Sequence, residues 1–140
     1  VTNDPWTIGR NYKMVSLNTT LQVDLTGQAN SETLGARQYS GGGGALNTCM
    51  GAQMSPGGKS ILALRSTAKG GTVSTVVPCF KDGQSVTIPR ADIDYVVTEY
   101  GIAHLKSMNV RRRVESLIAI AHPDFREWLR SEAKALQYIF

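Results

Sequence analysis

Between residues 14 and 25, the segment MVSLNTTLQVDL places Val15, Leu17, Leu21, Val23 and Leu25 at odd positions only. A period of two predicts a half-buried strand or a hairpin, broken near Asn18 to Thr20. The stretch GQANSETLGARQYSGGGG (27–44) is dense in turn formers and predicts a long functional loop, with at most one short helical turn. SILAL (60–64), bounded by SPGGK and RSTAKGG, is a continuous apolar run and predicts a strand covered on both faces. TVSTVVPCF (72–80) and SVTIP (85–89) predict two strands joined by the turn KDG, and IDYVVTEYG (93–101) predicts a further buried strand ended by Gly101.

The period then changes. Val110, Val114, Leu117, Ile118 and Ala121 recur at helical spacing, predicting an amphipathic helix over 110–121. Pro123 interrupts it and sits in the first turn of a second helix that buries Phe125, Trp128, Leu129 and Leu136. Strands first and helices last indicate an α/β or α+β layer fold, a sheet with the C-terminal helices packed on it.

Composition narrows the function classes. The 140 residues are 41% hydrophobic and 19% charged, which fits one globular domain. No apolar run approaches the roughly 20 residues of a membrane-spanning helix. The opening VTNDPWTIGR lacks a signal-peptide core, so the chain reads as a piece of a longer protein. Cys49 and Cys79 have no metal-ligand spacing and read as reduced thiols of an intracellular protein. With only His104 and His122 besides, no metal site is expected. The net charge of +4 suits a phosphate-bearing ligand. The basic residues are scattered except for Arg111–Arg113, a helical run read as a solvated face, which argues against nucleic acid.

Four consecutive glycines, Gly41 to Gly44, leave three readings: a linker, a phosphate cradle, or a backbone that touches a ligand. SPGGKS (55–60) ends like a phosphate-binding loop, but Gln53 stands where that motif needs glycine and a strand follows where it needs a helix. The glycines also fail as a dinucleotide fingerprint, because no strand leads into them and no clear helix follows. A linker is out of place between two apolar strand-forming regions. A closely approached backbone remains, with an amide able to stabilise an oxyanion; on composition alone a turn required by packing ranks above it. Glu99, at a strand end, reads in isolation as one half of an ion pair. No Ser/His/Asp or Cys/His set is evident.

VDLTGQAN (23–30), SGGGG (40–44), GGKSILAL (57–64), STAKGG (66–71), DYVVTEYGIAHL (94–105) and AHPDFREWL (121–129), taken in that order, resemble the C-terminal domain of the acetyl-CoA hydrolase/transferase family, in its 4-hydroxybutyrate or butyrate CoA-transferase branch. The resemblance spans residues 1–140. It implies an α/β lobe with a central mixed sheet, one of two lobes flanking a cleft, in a cytoplasmic homo-oligomer with neither nucleic acid nor membrane as partner. It implies an acyl-CoA and a small carboxylate as substrates, coenzyme A as thioester substrate and no tightly bound cofactor. The nucleophilic glutamate is expected on the N-terminal lobe, since none of Glu32, Glu99, Glu115, Glu127 or Glu132 matches it. The isolated chain is therefore expected to be inert.

Residue by residue, the resemblance assigns Gly43 or Gly44 to the oxyanion site, with Gly42 in the same substrate-binding loop. Asn3 is placed near the thioester, Glu99 in the lining of the site as one half of an ion pair, and Lys69 as a contact for CoA. This chain departs from the family at Gly42, where a bulkier residue is common, at Asn47 and Thr48 in place of Asp-Phe, at Arg65 in place of Pro, and at Ser107 in place of Gly. An acyl-CoA hydrolase and a non-catalytic acyl-CoA-binding module remain the alternatives.

Overall fold

The computed structural model describes residues 1–140. A short helix, α1 (Pro5–Gly9), opens the chain; the Asp4 carboxylate caps it by accepting the Thr7 amide at 2.9 Å, with proline in the first turn. Next come β1 (Val15–Thr19), β2 (Gln22–Asp24), β3 (Ala29–Asn30) and the hairpin β4 (Thr33–Leu34) and β5 (Arg37–Gln38). Helix α2 (Ala45–Met54) and β6 (Lys59–Ala63) follow, then the small hairpin β7 (Thr67–Ala68) and β8 (Val73–Ser74), and β9 (Val76–Val77). The chain ends with β10 (Tyr95–Thr98), β11 (Gly101–His104), α3 (Val110–Ile120) and α4 (Pro123–Ala135).

The central sheet is mixed, in the order β1-β6-β10-β11. The first three strands are parallel, with Leu17 opposite Ile61 and Ile61 opposite Tyr95; β11 returns antiparallel, with Val97 opposite Ile102. A smaller sheet, β3-β2-β9, stands beside it. Leu62, Val96 and Ala103 on one sheet face pack with Val114, Leu117 and Ile118 of α3 and Leu129 of α4, and Val23, Leu25, Val76 and Ile88 continue the core under the smaller sheet. Each of the valine, leucine and isoleucine side chains contributes about 1.5–3 kcal/mol by leaving water. This is the expected α/β architecture, with the C-terminal helices on the sheet. No helix is long and apolar enough to cross a membrane.

Several local expectations change. The 14–25 run does break, but Val15 and Leu17 are 54% and 68% exposed while Ser16 is buried. β1 and β2 belong to different sheets, so one odd-residue stripe faces outward before the break and inward after it. The segment after β2 holds short ladders and no helical turn. Its bends are fixed by buried side chains: the Asp24 carboxylate accepts the Thr26 and Gln28 amides, the Thr26 hydroxyl and the Gln28 side-chain amide. Gly27, at φ +86°, allows this turn to press on Arg113, whose Nη1 would lie 2.6 Å from any Cβ there. Arg113 is buried rather than solvated and donates to the Thr26 and Met108 carbonyls; Arg111 alone forms the exposed i,i+4 pair, with Glu115.

The predicted 72–80/85–89 hairpin is absent. β9 pairs in parallel with β2, Pro78 has no amide to extend the ladder, and Ile88 makes only an isolated bridge to Ala29. Gly101 opens β11 instead of ending the strand before it. The two final helices stand as predicted, with His122 capping α4 by accepting the Asp124 amide at 3.2 Å. Of the four apolar residues expected under α4, only Leu129 is fully buried; Trp128 and Leu136 stay exposed, because only the stripe of Leu129 and Ala133 on this helix reaches the core. Both cysteines are free; burial pushes the Cys49 thiol pKa up, whereas Cys79 is exposed.

Candidate active site: an amide row at a helix start

Helix α2 is the element the hydrophobic pattern does not reveal. ALNTCMGAQM has no charged residue and no clean polar face, because α1 packs closely along it: a Cβ at Gly51 would lie 2.5 Å from Ile8 Cβ. The four glycines therefore do open a helix, with Gly44 as its N-cap. Asn18, on β1, donates to the Thr48 hydroxyl at 3.0 Å and ties the first turn of α2 to the end of that strand. The glycine loop thus sits where the parallel strands end, the edge at which α/β sheets bind ligands.

Its approach is held firmly. The Glu32 carbonyl accepts the amides of Tyr39 and Ser40 at 2.7 and 3.0 Å, and the Ser40 hydroxyl donates to the Ser31 carbonyl at 2.9 Å. Asn30, fully buried, takes the Glu32 and Thr33 amides on its side-chain oxygen. The Glu32 carboxylate accepts from the Thr87 hydroxyl at 2.7 Å and lies beside Gly42, whose Cβ position is 3.5 Å from both Glu32 Cδ and Thr87 Cγ2. Gly43 is left-handed at φ +55°, and a Cβ on Gly44 would meet the Asn3 side-chain amide at 3.0 Å. The amides of Gly41, Gly42, Gly43 and Gly44 donate to no group of the chain. Together with the start of a ten-residue helix, they form a set of fixed, unsatisfied donors suited to a negative oxygen.

Asn3, Gly42, Gly43 and Gly44 therefore lie together. Glu99 is placed at the same end of the sheet without touching them. Thr19, Ala63 and Val97 form one row across β1, β6 and β10, and Glu99 lies two residues beyond it. Two strand spacings, roughly 10 Å, separate β10 from β1. The expected ion pair of Glu99 is not formed. Its carboxylate oxygens accept the Ser66 amide at 3.1 and 3.2 Å, and the Ser66 hydroxyl donates to it as well. Desolvation raises the Glu99 pKa, but the Ser66 hydrogen bonds and the Arg65 charge outweigh it and hold the carboxyl below its ordinary value. Lys69 is exposed on the β7–β8 turn at φ +50° and borders a 400 Å³ groove with Leu21, Leu34 and Val73.

A groove of 710 Å³ lies between the β8–β9 segment and α4, lined by Val77, Cys79, Phe125 and Trp128. Neither groove contains Asn3, Glu99 or any of the four glycines. Chemistry favours the glycine loop over either groove, since it brings four unpaired amides, the Asn3 side chain and a helix start together at the end of the parallel strands. His104 is remote from it, bonded to Asp94 at 3.0 Å near the opposite ends of β10 and β11. No group of three His, Cys, Asp or Glu side chains is placed to hold a metal ion. Sequence reasoning missed Glu32, Thr87, Asn18 and Ser66. Glu32 alone left a signal, standing two residues after an Asn in a turn-rich segment, where such a side chain locally binds backbone amides.

Residues 1–133 match the family described as acetyl-CoA hydrolase/transferase C-terminal domain. The 4-hydroxybutyrate coenzyme A transferase of Clostridium kluyveri is 51% identical over 94% of this chain, and the succinyl-CoA:cyclohexane-1-carboxylate CoA transferase of Geobacter metallireducens 48% identical over 98%. The crystal structure of RipA from Yersinia pestis aligns with a TM-score of 0.88 at 44% identity over 98% of this chain and 29% of its own. The chain spans 31% of the length of each of the two transferases. It belongs to the acetyl-CoA hydrolase/transferase family and matches the C-terminal domain of that family over nearly its whole length.

Proposed function

We propose that this chain supplies one half of the active site of an acyl-CoA:carboxylate CoA-transferase, the half that stabilises the oxyanion, while the attacking glutamate comes from the remainder of the protein. The observation that carries this reading is the row of unpaired amides at Gly41–Gly44 above the start of α2, with Asn3 against Gly44.

The chemistry suits such a half-site. A glutamate carboxylate attacks the thioester carbonyl carbon, and the carbonyl electron pair moves onto oxygen, where the loop amides receive it. The C–S bond then breaks, releasing CoA thiolate and leaving an acyl-glutamyl anhydride. The thiolate attacks the glutamyl carbonyl and expels the acyl group as a carboxylate, giving a glutamyl-CoA thioester. An acceptor carboxylate repeats both steps in reverse and leaves as the new acyl-CoA. Each nucleophile and each leaving group is an anion, so no proton changes hands. A site built from amides, without a histidine, meets that requirement.

The test uses the full-length protein. Incubated with an acyl-CoA and reduced with borohydride, it should yield one glutamate converted to its alcohol, mapped by mass spectrometry outside residues 1–140. CoA should appear on acetate when acetate is supplied. Reduction at Glu99 or Glu32 would overturn the assignment of the nucleophile. CoA release indifferent to any carboxylate acceptor would make the protein a hydrolase, and no turnover with no trapped glutamate would make it a binding module.

A further inference from the structure

The sheet end that carries the glycine loop also carries a cation without a partner. Along β6 and its extension Leu62, Leu64 and Ser66 turn toward the core, while Arg65 between them is exposed. Its backbone is fixed on both sides. The Leu64 amide donates to the Val97 carbonyl and the Thr75 amide to the Ser66 carbonyl, each at 3.0 Å, and the Thr75 hydroxyl donates to the Arg65 carbonyl itself. The guanidinium, by contrast, forms no salt bridge and donates to no group of the chain. Its charge is felt at Glu99, whose oxygens are taken up by Ser66 instead. Register fixes where this cation stands. Arg65 and Glu99 each lie two residues past the row of Thr19, Ala63 and Val97, and β6 runs between β1 and β10. Arg65 therefore lies between Glu99 and the end of β1, to which Asn18 ties the start of α2.

We infer that Arg65 holds the non-reacting carboxylate of a dicarboxylic substrate and so selects dicarboxylates in the reaction proposed above. A planar guanidinium matches a carboxylate with two parallel hydrogen bonds. A monocarboxylate can offer Arg65 only the oxygens that must attack, and pairing them would blunt the nucleophile. A second carboxylate can be held while the first one reacts. In a four-carbon dicarboxylate the two carboxyl carbons lie roughly 4 Å apart, close to one strand spacing of about 4.8 Å. The inference rests on the transferase reading and names the substrate class of that same site.

A comparison of acceptors in the full-length protein tests it. With acetyl-CoA as donor, CoA passes to succinate or to butyrate and acetate is released; the two acceptors differ by a terminal carboxylate in place of a methyl group. Wild-type kcat/KM should favour succinate by about tenfold or more, the weight of one charge-assisted pair. Arg65→Gln should raise the ratio of the succinate KM to the butyrate KM about tenfold, and Arg65→Lys should recover part of the preference. A variant that shifts both acceptors alike makes Arg65 a counter-ion of Glu99 and overturns the inference. A wild-type protein indifferent to the second carboxylate overturns it too, and that measurement needs no substitution. Transfer to both acceptors at equal efficiency refutes the selection of dicarboxylates and leaves the transferase reading standing, whereas transfer to no carboxylate at all overturns both.

Discussion

Two glycine-rich segments of this chain look alike in sequence and differ in how they are held. SGGGG (40–44) and AKGG (68–71) both place residues at positive φ, Gly43 at +55° and Lys69, Gly70 and Gly71 at +50°, +68° and +90°. The first is braced from several sides. Glu32 fixes its approach through two backbone bonds, Thr87 holds the Glu32 carboxylate beside Gly42, Asn3 lies against Gly44, and α2 anchors its exit. The second is closed by the short β7–β8 pairing and by Thr72, whose amide and hydroxyl reach the Lys69 carbonyl, and a Cβ at Gly70 or Gly71, as at Gly41 or Gly43, would touch nothing within 4 Å. Transition-state stabilisation needs donors that do not have to reorganise, whereas a cation attracting a phosphate can act from a loose turn. Under the proposed function, the difference predicts that changes in the braced loop act on kcat and changes in the free turn on substrate affinity.

The strongest way to break that contrast is Gly44→Val in the full-length protein. The branched side chain displaces Asn3 and crowds the amide row, so kcat should fall by about 10²–10³-fold, the usual cost of an oxyanion donor. Thermal melting should move little, since the loop is outside the core. Activity lost only in step with the folded fraction would refute the assignment. Glu32→Ala tests the brace, because it leaves the backbone bonds but empties the space beside Gly42. We expect kcat to drop about tenfold, equivalent to roughly 1.4 kcal/mol, with KM for acyl-CoA unchanged. Glu32→Gln, which still accepts from Thr87, should restore most of the loss; a rise in KM without change in kcat would contradict the positioning role.

Smaller effects sharpen the comparison. Glu99→Gln keeps one acceptor for Ser66 and removes the charge, so turnover should fall only about fivefold, with the borohydride-trapped glutamate still formed. The Glu99 carboxyl is held low by Ser66. Its contribution to folding is therefore present above the unfolded pKa and is lost as pH falls through the folded one, and the variant should flatten the acid limb of a melting-temperature profile. Lys69→Ala should raise KM for acyl-CoA about threefold at low salt and less at high salt, with kcat intact. A kcat effect there would erase the distinction between the two segments.

The contrast was only half legible in the sequence. The final helices announced themselves because charged residues on one side and Val114, Leu117 and Ile118 on the other set a clear helical period, and Pro123 marked the boundary. Helix α2 did not, since α1 packs against its small residues and erases the polar face that periodicity requires. β1 misled because its alternation is genuine but faces outward, toward a surface this chain does not cover. Family resemblance brought Asn3 and the glycines together. It could not supply Glu32 or Ser66, whose roles depend on hydrogen bonds to residues up to 55 positions away, a separation no local pattern encodes.

The smallest effect is a control on strain itself. Ser107 is left-handed at φ +63°, in the turn that Met108 closes by donating to the Leu105 carbonyl at 3.0 Å, so it shares the backbone geometry of Gly43 with no donor role. Glycine is favoured at that third position of the turn, and the left-handed region costs an ordinary residue about 1–2 kcal/mol. Part of that gain is returned through the greater freedom of glycine in the unfolded chain. Ser107→Gly should therefore stabilise the protein by about 0.5–1 kcal/mol in a denaturant titration and leave kcat and KM untouched. Gly43→Ala introduces strain of the same size in the opposite sense, so strain alone predicts a loss of about 1 kcal/mol in stability and no effect on turnover. A large fall in kcat at position 43, set beside a silent change at 107, would show that the glycine loop is constrained by what its amides bind and not by the turn it makes.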